Sequence, residues 1–212
     1  MKKFLTHAVT LVLLSASVAL AQDKIPLTTK LPDPVFVGTP VPITIPNLEP
    51  ETKKWPDLQV PAGTVNLAGG KKVTGSDSDP VVGTLDLVTD GDKAGDEGSW
   101  VELGRGNQWV QIDLEKDANI FAVVVWHFHS QARVYRDVVV QISDDPAFSK
   151  DVTTIYDNTA NGKDRPYVET YFGKLMDAKG VKGRYVRLSS NGNTTNKMNH
   201  YIEVEVFGKP AA

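Results

Sequence analysis

The 212-residue sequence contains no cysteine. That absence excludes thiol catalysis, cysteine-ligated zinc, iron–sulfur clusters and c-type haem attachment. It also excludes disulfides, so a domain of this chain must be held by core packing or by a bound metal. Long apolar runs are missing too, apart from one between Ala8 and Leu20. That run is shorter than the ~20 apolar residues of a spanning helix. Lys2 and Lys3 precede it and Ala19-Leu20-Ala21 follows it, the pattern of a signal peptide over residues 1–21 that is cleaved before Gln22. The expected location is secreted or periplasmic, with no transmembrane span after cleavage. No cysteine follows the run to take a lipid.

Basic excess is lacking as well. The formal net charge is −3, and losing Lys2 and Lys3 leaves 21 basic residues against 26 acidic ones. A mildly acidic chain argues against unaided binding to nucleic acid or anionic lipid. Sustained helical periodicity is absent, and strands never alternate with long amphipathic helices, which excludes a doubly wound fold. No Gly-x-Ser-x-Gly elbow, His-Glu-x-x-His, phosphate-cradling glycine loop or dinucleotide fingerprint occurs. Asp113 and Glu115 are two apart at a strand end with no implied cleft, a poor pair for glycoside hydrolysis. The expected protein is not an enzyme.

What remains is an ordinary globular composition, 41% hydrophobic and 23% charged. Nine of the thirteen prolines fall between Pro26 and Pro61. Such density bars a central strand or a helix, so residues 22–64 are expected to be extended. Val35, Phe36, Val37, Ile43, Ile45, Trp55 and Leu58 are too many apolar residues for a solvated spacer. Part of the segment, around Trp55, is expected to cover an apolar patch.

From Val65 onward short β-type runs alternate with turns. They are Gln108–Leu114, Ile120–His129, Asp137–Ser143, Val152–Tyr156, Tyr167–Phe172, Arg184–Ser189 and Tyr201–Phe207. In the last, alternation places Ile202, Val204 and Val206 on one face and Tyr201, Glu203, Glu205 and Phe207 on the other. Residues 65–209 are therefore expected to form one all-β domain, a sandwich or barrel.

Six pieces in order resemble one family. They are Asn66-Leu67-Ala68 with Gly70 to Thr74, Val88-Thr89-Asp90-Gly91-Asp92, and Trp109 to Leu114. Val140 to Asp145, Arg184 to Leu188 and Glu203 to Gly208 complete the set. The chain resembles the coagulation factor 5/8 C-terminal-type, or discoidin-like, domain of the galactose-binding-like superfamily. It is most similar to the bacterial family 32 carbohydrate-binding modules, since eukaryotic members usually tie their ends with a disulfide. The resemblance implies an eight-stranded antiparallel jelly-roll sandwich that binds ligands through loops at one end and is not catalytic. The loop Asp92 to Trp100 departs from the family in being longer and more acidic.

Calcium takes six to eight hard oxygen ligands. The segment from Asp90 to Ser99 supplies four carboxylates among glycines, without the spacing of an EF-hand. The resemblance implies a structural calcium held by Asp90, Asp92 and Glu203, with carbonyls near Leu87 and Ile202 and with Ser99 as the hydroxyl ligand. Carbohydrate sites on this fold pair an aromatic platform with forked polar side chains. His129, Arg133, Tyr135, Asn199 and His200 are the expected ligand-binding set, and carbohydrate is the expected partner. Solvated arginines and turn-forming asparagines are the plain alternative for the same positions. His127 and His129 also share a strand face and could form a metal pair with His200, although no nearby carboxylate completes such a site. The alternative to a sugar-binding module is a structural component that docks an envelope protein partner.

Overall fold

A computed structural model describes residues 23–35, 42–161 and 165–211. The expected signal peptide lies outside the described residues. Among them the chain forms eleven strands and one short 3-10 turn, Leu85–Thr89. The strands are β1 (Lys24–Pro26), β2 (Gln59–Pro61), β3 (Val65–Asn66), β4 (Val73–Gly75), β5 (Val101–Leu103) and β6 (Gln108–Trp126). They continue as β7 (Val139–Ser143), β8 (Thr153–Asp157), β9 (Lys174–Ser190), β10 (Asn199–Tyr201) and β11 (Glu203–Pro210). All pairings are antiparallel, in the order β3-β11-β6-β9-β7-β8, with β4 added to β6 and with β5–β10 and β1–β2 as separate pairs. The architecture is a jelly-roll sandwich.

Strand β6 has 19 residues. Straight, it would reach roughly 60 Å at ~3.3 Å per residue, so it must fold over. The break lies where its register with β9 jumps between Asp113 and Ala118, and Glu115 there takes a φ of 68°. Lys179 and Gly180, at φ 55° and 81°, mark a second irregularity, where the register jumps again between Ile120 and Ala122. Val110 and Ile112 from the first limb of β6 meet Ile120, Val123 and Val125 from the second in one buried cluster. Both ends of β6 therefore come to the same end of the sandwich, and this gathers the loops that follow.

The second limb of β6 is buried on both faces, as a continuous apolar run requires. Val123 and Val125 face the main core, while Ala122, Val124 and Trp126 face a second cluster with Leu27, Val60, Ile202 and Phe207. The proline-rich segment supplies that second layer. Its β1–β2 pair joins Lys24–Pro26 to Gln59–Pro61, and the Trp55 indole donates to the Leu27 carbonyl at 2.8 Å. Trp55 and Leu58 pack on the same cluster.

Two strand expectations are corrected. Tyr167–Phe172 is loop and turn, not strand. Tyr201 and Ile202 do not follow the predicted faces: Tyr201 joins the main core with Val204 and Val206, and Ile202 joins the outer cluster. The chain changes partner there, from β5 at Tyr201 to β6 at Glu203, and the change of sheet resets the alternation.

Candidate functional site

Where β6 ends, residues 127–136 run over the end of the sandwich and bury a polar cluster. His127 is fully buried, and its Nδ1 donates to Glu169 Oε1 at 2.8 Å. Its ring stacks on Tyr135 with centroids 4.3 Å apart. The Tyr135 hydroxyl meets His200 Nδ1 at 2.9 Å, and His200 Nε2 meets the Glu102 carboxylate at 2.8 Å. The carboxylate can only accept, so the proton sits on Nε2 and Tyr135 donates to Nδ1. Arg133 lies over the Phe128 ring at 4.3 Å and donates to Gln131. The cluster carries unspent hydrogen-bonding capacity: His127 Nε2, Arg133 Nε and Nη1, Glu169 Oε2 and the Tyr167 hydroxyl are buried without partners. Burying such atoms unpaired costs about 1–3 kcal/mol each, a cost that a water molecule or a polar guest reaching the cluster would relieve.

The five side chains expected to bind ligand divide. Arg133, Tyr135 and His200 come together in this cluster. His129 instead donates from Nε2 to the Lys93 carbonyl at 2.8 Å and pins the acidic loop. Asn199 is fully buried, its amide spent on the carbonyls of Gly104 and Gly106 and its oxygen on Ser190 and Gly192. His127 and Glu169 were absent from the expected set. The one sequence signal for Glu169 is a lone carboxylate in the aromatic run Tyr167–Phe172, which is loop and turn and not the expected strand.

Neutral His200 carries a pH signature. Burial, with Arg133 and His127 nearby, lowers it to about 3. As pH falls below ~6.5 the unfolded chain takes up this proton while the folded one refuses it. Its contribution to stability is complete above that pH and is lost on descent toward pH 3. Between pH 6 and 4 wild type is expected to lose about 1.4 kcal/mol per pH unit more than His200→Gln. Urea titrations across that range measure the difference; parallel slopes would show that His200 titrates normally.

The acidic loop is a second polar centre. Glu203 is fully buried on β11; its Oε2 accepts the Gly91 amide at 3.0 Å, while Oε1 has no partner. Burial, reinforced by Glu205 and Asp90, pushes this carboxyl up to about 8. The unpartnered Glu203 oxygen is what suits the expected calcium; Asp90 acts on Glu203 through its charge, and its Oδ1 accepts the Asp92 amide at 2.8 Å. Asp92 accepts the Ala94 amide at 2.9 Å, and the Ser99 hydroxyl donates to the Asp96 carbonyl at 2.8 Å. Both side chains are engaged within the loop. Among the described residues no three His, Asp or Glu side chains converge as metal ligands, and His127 and His129 point to different partners. Asp113 and Glu115 are bound separately, the first in a bidentate pair with Arg184 at 2.7 and 2.8 Å, the second to Lys71. The hydrogen bonds from Arg184 hold Asp113 below the ordinary carboxylate range.

Residues 87–188 match a factor 5/8 type C family model described as a NedA-like, galactose-binding domain. No curated protein matches the sequence. Among solved structures, a family 89 glycoside hydrolase from Clostridium perfringens is similar at 20% identity and TM-score 0.54 over 69% of this chain. The chain spans 15% of that hydrolase. The family 32 module of AlyQ, solved with 4,5-unsaturated mannuronic acid, is similar at 21% identity and TM-score 0.51, covering 64% of this chain and 93% of that one. A fucose binding module from Streptococcus pneumoniae is similar at 22% identity and TM-score 0.50, covering 67% and 96%. At these identities the likeness establishes the fold.

Proposed function

We propose that the protein, whose residues 87–188 match the factor 5/8 type C, galactose-binding domain model, is an exported, non-catalytic module that binds carbohydrate. The observation that carries the reading is the polar cluster of His127, Arg133, Tyr135, Glu169 and His200, with its unpaired donors and acceptors. Sugar hydroxyls both donate and accept, and the set offers both, beside the aromatic faces of Phe128 and Tyr135. Export is supported by the leader-like run.

Calcium belongs to the same proposal. Asp90 and Glu203 would hold it, and the ion would supply a structural tie between the acidic loop and β11 in a chain without disulfides.

A glycan array followed by calorimetry tests the function. Arg133→Ala is expected to weaken any sugar bound by wild type by about tenfold or more, the worth of one or two charge-assisted hydrogen bonds. Tyr135 is only 1% exposed, so Tyr135→Phe, which keeps the ring and removes the hydroxyl, is the informative partner. Silence across plant, algal and peptidoglycan glycans, with a protein co-purifying instead, would replace this reading by a docking role in the envelope.

A further inference from the structure

The proline-rich segment touches the sandwich at a second place, beside the polar cluster. Glu49 donates its amide to the Pro166 carbonyl at 2.8 Å, and its carboxylate is held by Lys174 at 2.5 Å and approached by Arg165 at 3.9 Å. The Lys174 ammonium in turn lies 4.6 Å from the centre of the Tyr167 ring. These contacts fix the preceding residues, so that Ile45 and Pro46 face Val134, Tyr135, Asn158 and Pro166 across a cavity of about 280 Å³.

The walls of this cavity differ in character. Ile45, Pro46, Val134 and Pro166 are apolar. Asn158 is 3% exposed; its Oδ1 accepts the Val138 amide at 2.5 Å, and its Nδ2 is buried without a partner. A buried amide donor left unsatisfied in the lining of a cavity is an unfilled demand for an acceptor. The charged lining is balanced, Arg136 against Asp137, and Asp137 is further engaged by the Asn191 amide at 2.8 Å.

We infer that this cavity is a binding pocket for a single neutral sugar ring, with the Ile45–Pro46 strap as one wall and the Asn158 amide as its fixed donor. The inference rests on the carbohydrate reading and deepens it. At about 280 Å³ the space lies just under the ~300–1,000 Å³ of pockets for drug-sized ligands, so it has room for one ring and not for a chain. A pyranose has an apolar C–H face for the proline and isoleucine, and hydroxyl oxygens for the amide. The balanced charge favours a ring without a carboxylate. Because the strap supplies a wall, the isolated sandwich would lack part of the pocket.

Nuclear magnetic resonance titration of the full chain with galactose, fucose, N-acetylglucosamine and glucuronate tests this. A neutral sugar is expected to shift the Asn158 side-chain amide and the Ile45 methyls, with glucuronate weaker. Ile45→Ala/Pro46→Gly should reduce that sugar's affinity by about tenfold, the loss of an apolar wall of two side chains. Asn158→Asp, which retains the oxygen that caps Val138 and removes the donor, should do the same. Shifts confined to the surroundings of His200 and Glu102, with both variants binding as wild type does, would overturn the pocket and leave the carbohydrate reading intact. No shift with any sugar would overturn both.

Discussion

Replacing Lys93 with alanine is expected to remove about 3–5 kcal/mol of folding stability, because it strands a buried carboxylate. Lys93 is only 8% exposed despite its place in an acidic surface loop. Its ammonium donates to Glu205 Oε1 at 2.6 Å, to Thr29 Oγ1 at 2.9 Å and to the Lys30 carbonyl at 3.0 Å, and it lies 4.8 Å from the Trp126 ring centre. Thr29 in turn donates to Glu205 Oε2 at 2.7 Å. One cation thus joins the proline-rich segment, the acidic loop and the last strand. Domains are stable by only about 5–15 kcal/mol, so the loss would be visible in urea unfolding at constant slope. The double variant Lys93→Met/Glu205→Leu separates the causes. Removing both charges leaves none buried alone, and exchanging a buried pair for apolar side chains is often near neutral. Recovery of most of the loss is expected; a double variant as unstable as the single one would mean that packing around Trp126, and not the charge, was decisive.

That ion pair also shows where sequence reasoning stops. The strands were legible because burial on one face leaves a period of two, and the bent limbs of β6 read as two separate runs, Gln108–Leu114 and Ile120–His129. The overlay was partly legible, since apolar residues such as Trp55 among prolines demand a surface to cover. Its polar anchors were not. In the sequence Lys93 is one cation among the carboxylates of Asp90 to Ser99, and Glu205 alternates with Val204 and Val206 on the opposite face of a strand. Each is buried only because the segment around Thr29 lies over the outer face, and no local pattern records which distant segment covers a strand. The functional end divides in the same way. Arg133, Tyr135 and His200 could be gathered from loops that the fold brings together. His129 and Asn199 were drawn into carbonyl contacts that depend on backbone geometry, and Glu169 was hidden by a misread strand.

The proposed calcium makes the other large prediction. A ligand that binds only the folded chain stabilises it by about 2.7 kcal/mol at a hundredfold excess over its Kd. In a domain of this size each kcal/mol moves the melting temperature by roughly 2–4 °C, so calcium against chelator should raise it by about 5–10 °C. Glu203 has one oxygen on the Gly91 amide and the other unpaired. In Glu203→Gln the response should vanish, and the chelated variant should melt at or above chelated wild type, because the amide is neutral without the proton that the buried carboxyl must take up. Asp92→Asn preserves the oxygen that accepts the Ala94 amide, and should therefore keep most of the response. Asp90→Asn, which removes the negative charge that acts on Glu203, should lose it. Coincident wild-type curves with and without calcium would dispose of the ion, and the unpaired Glu203 oxygen would then have to be met by a proton or by water.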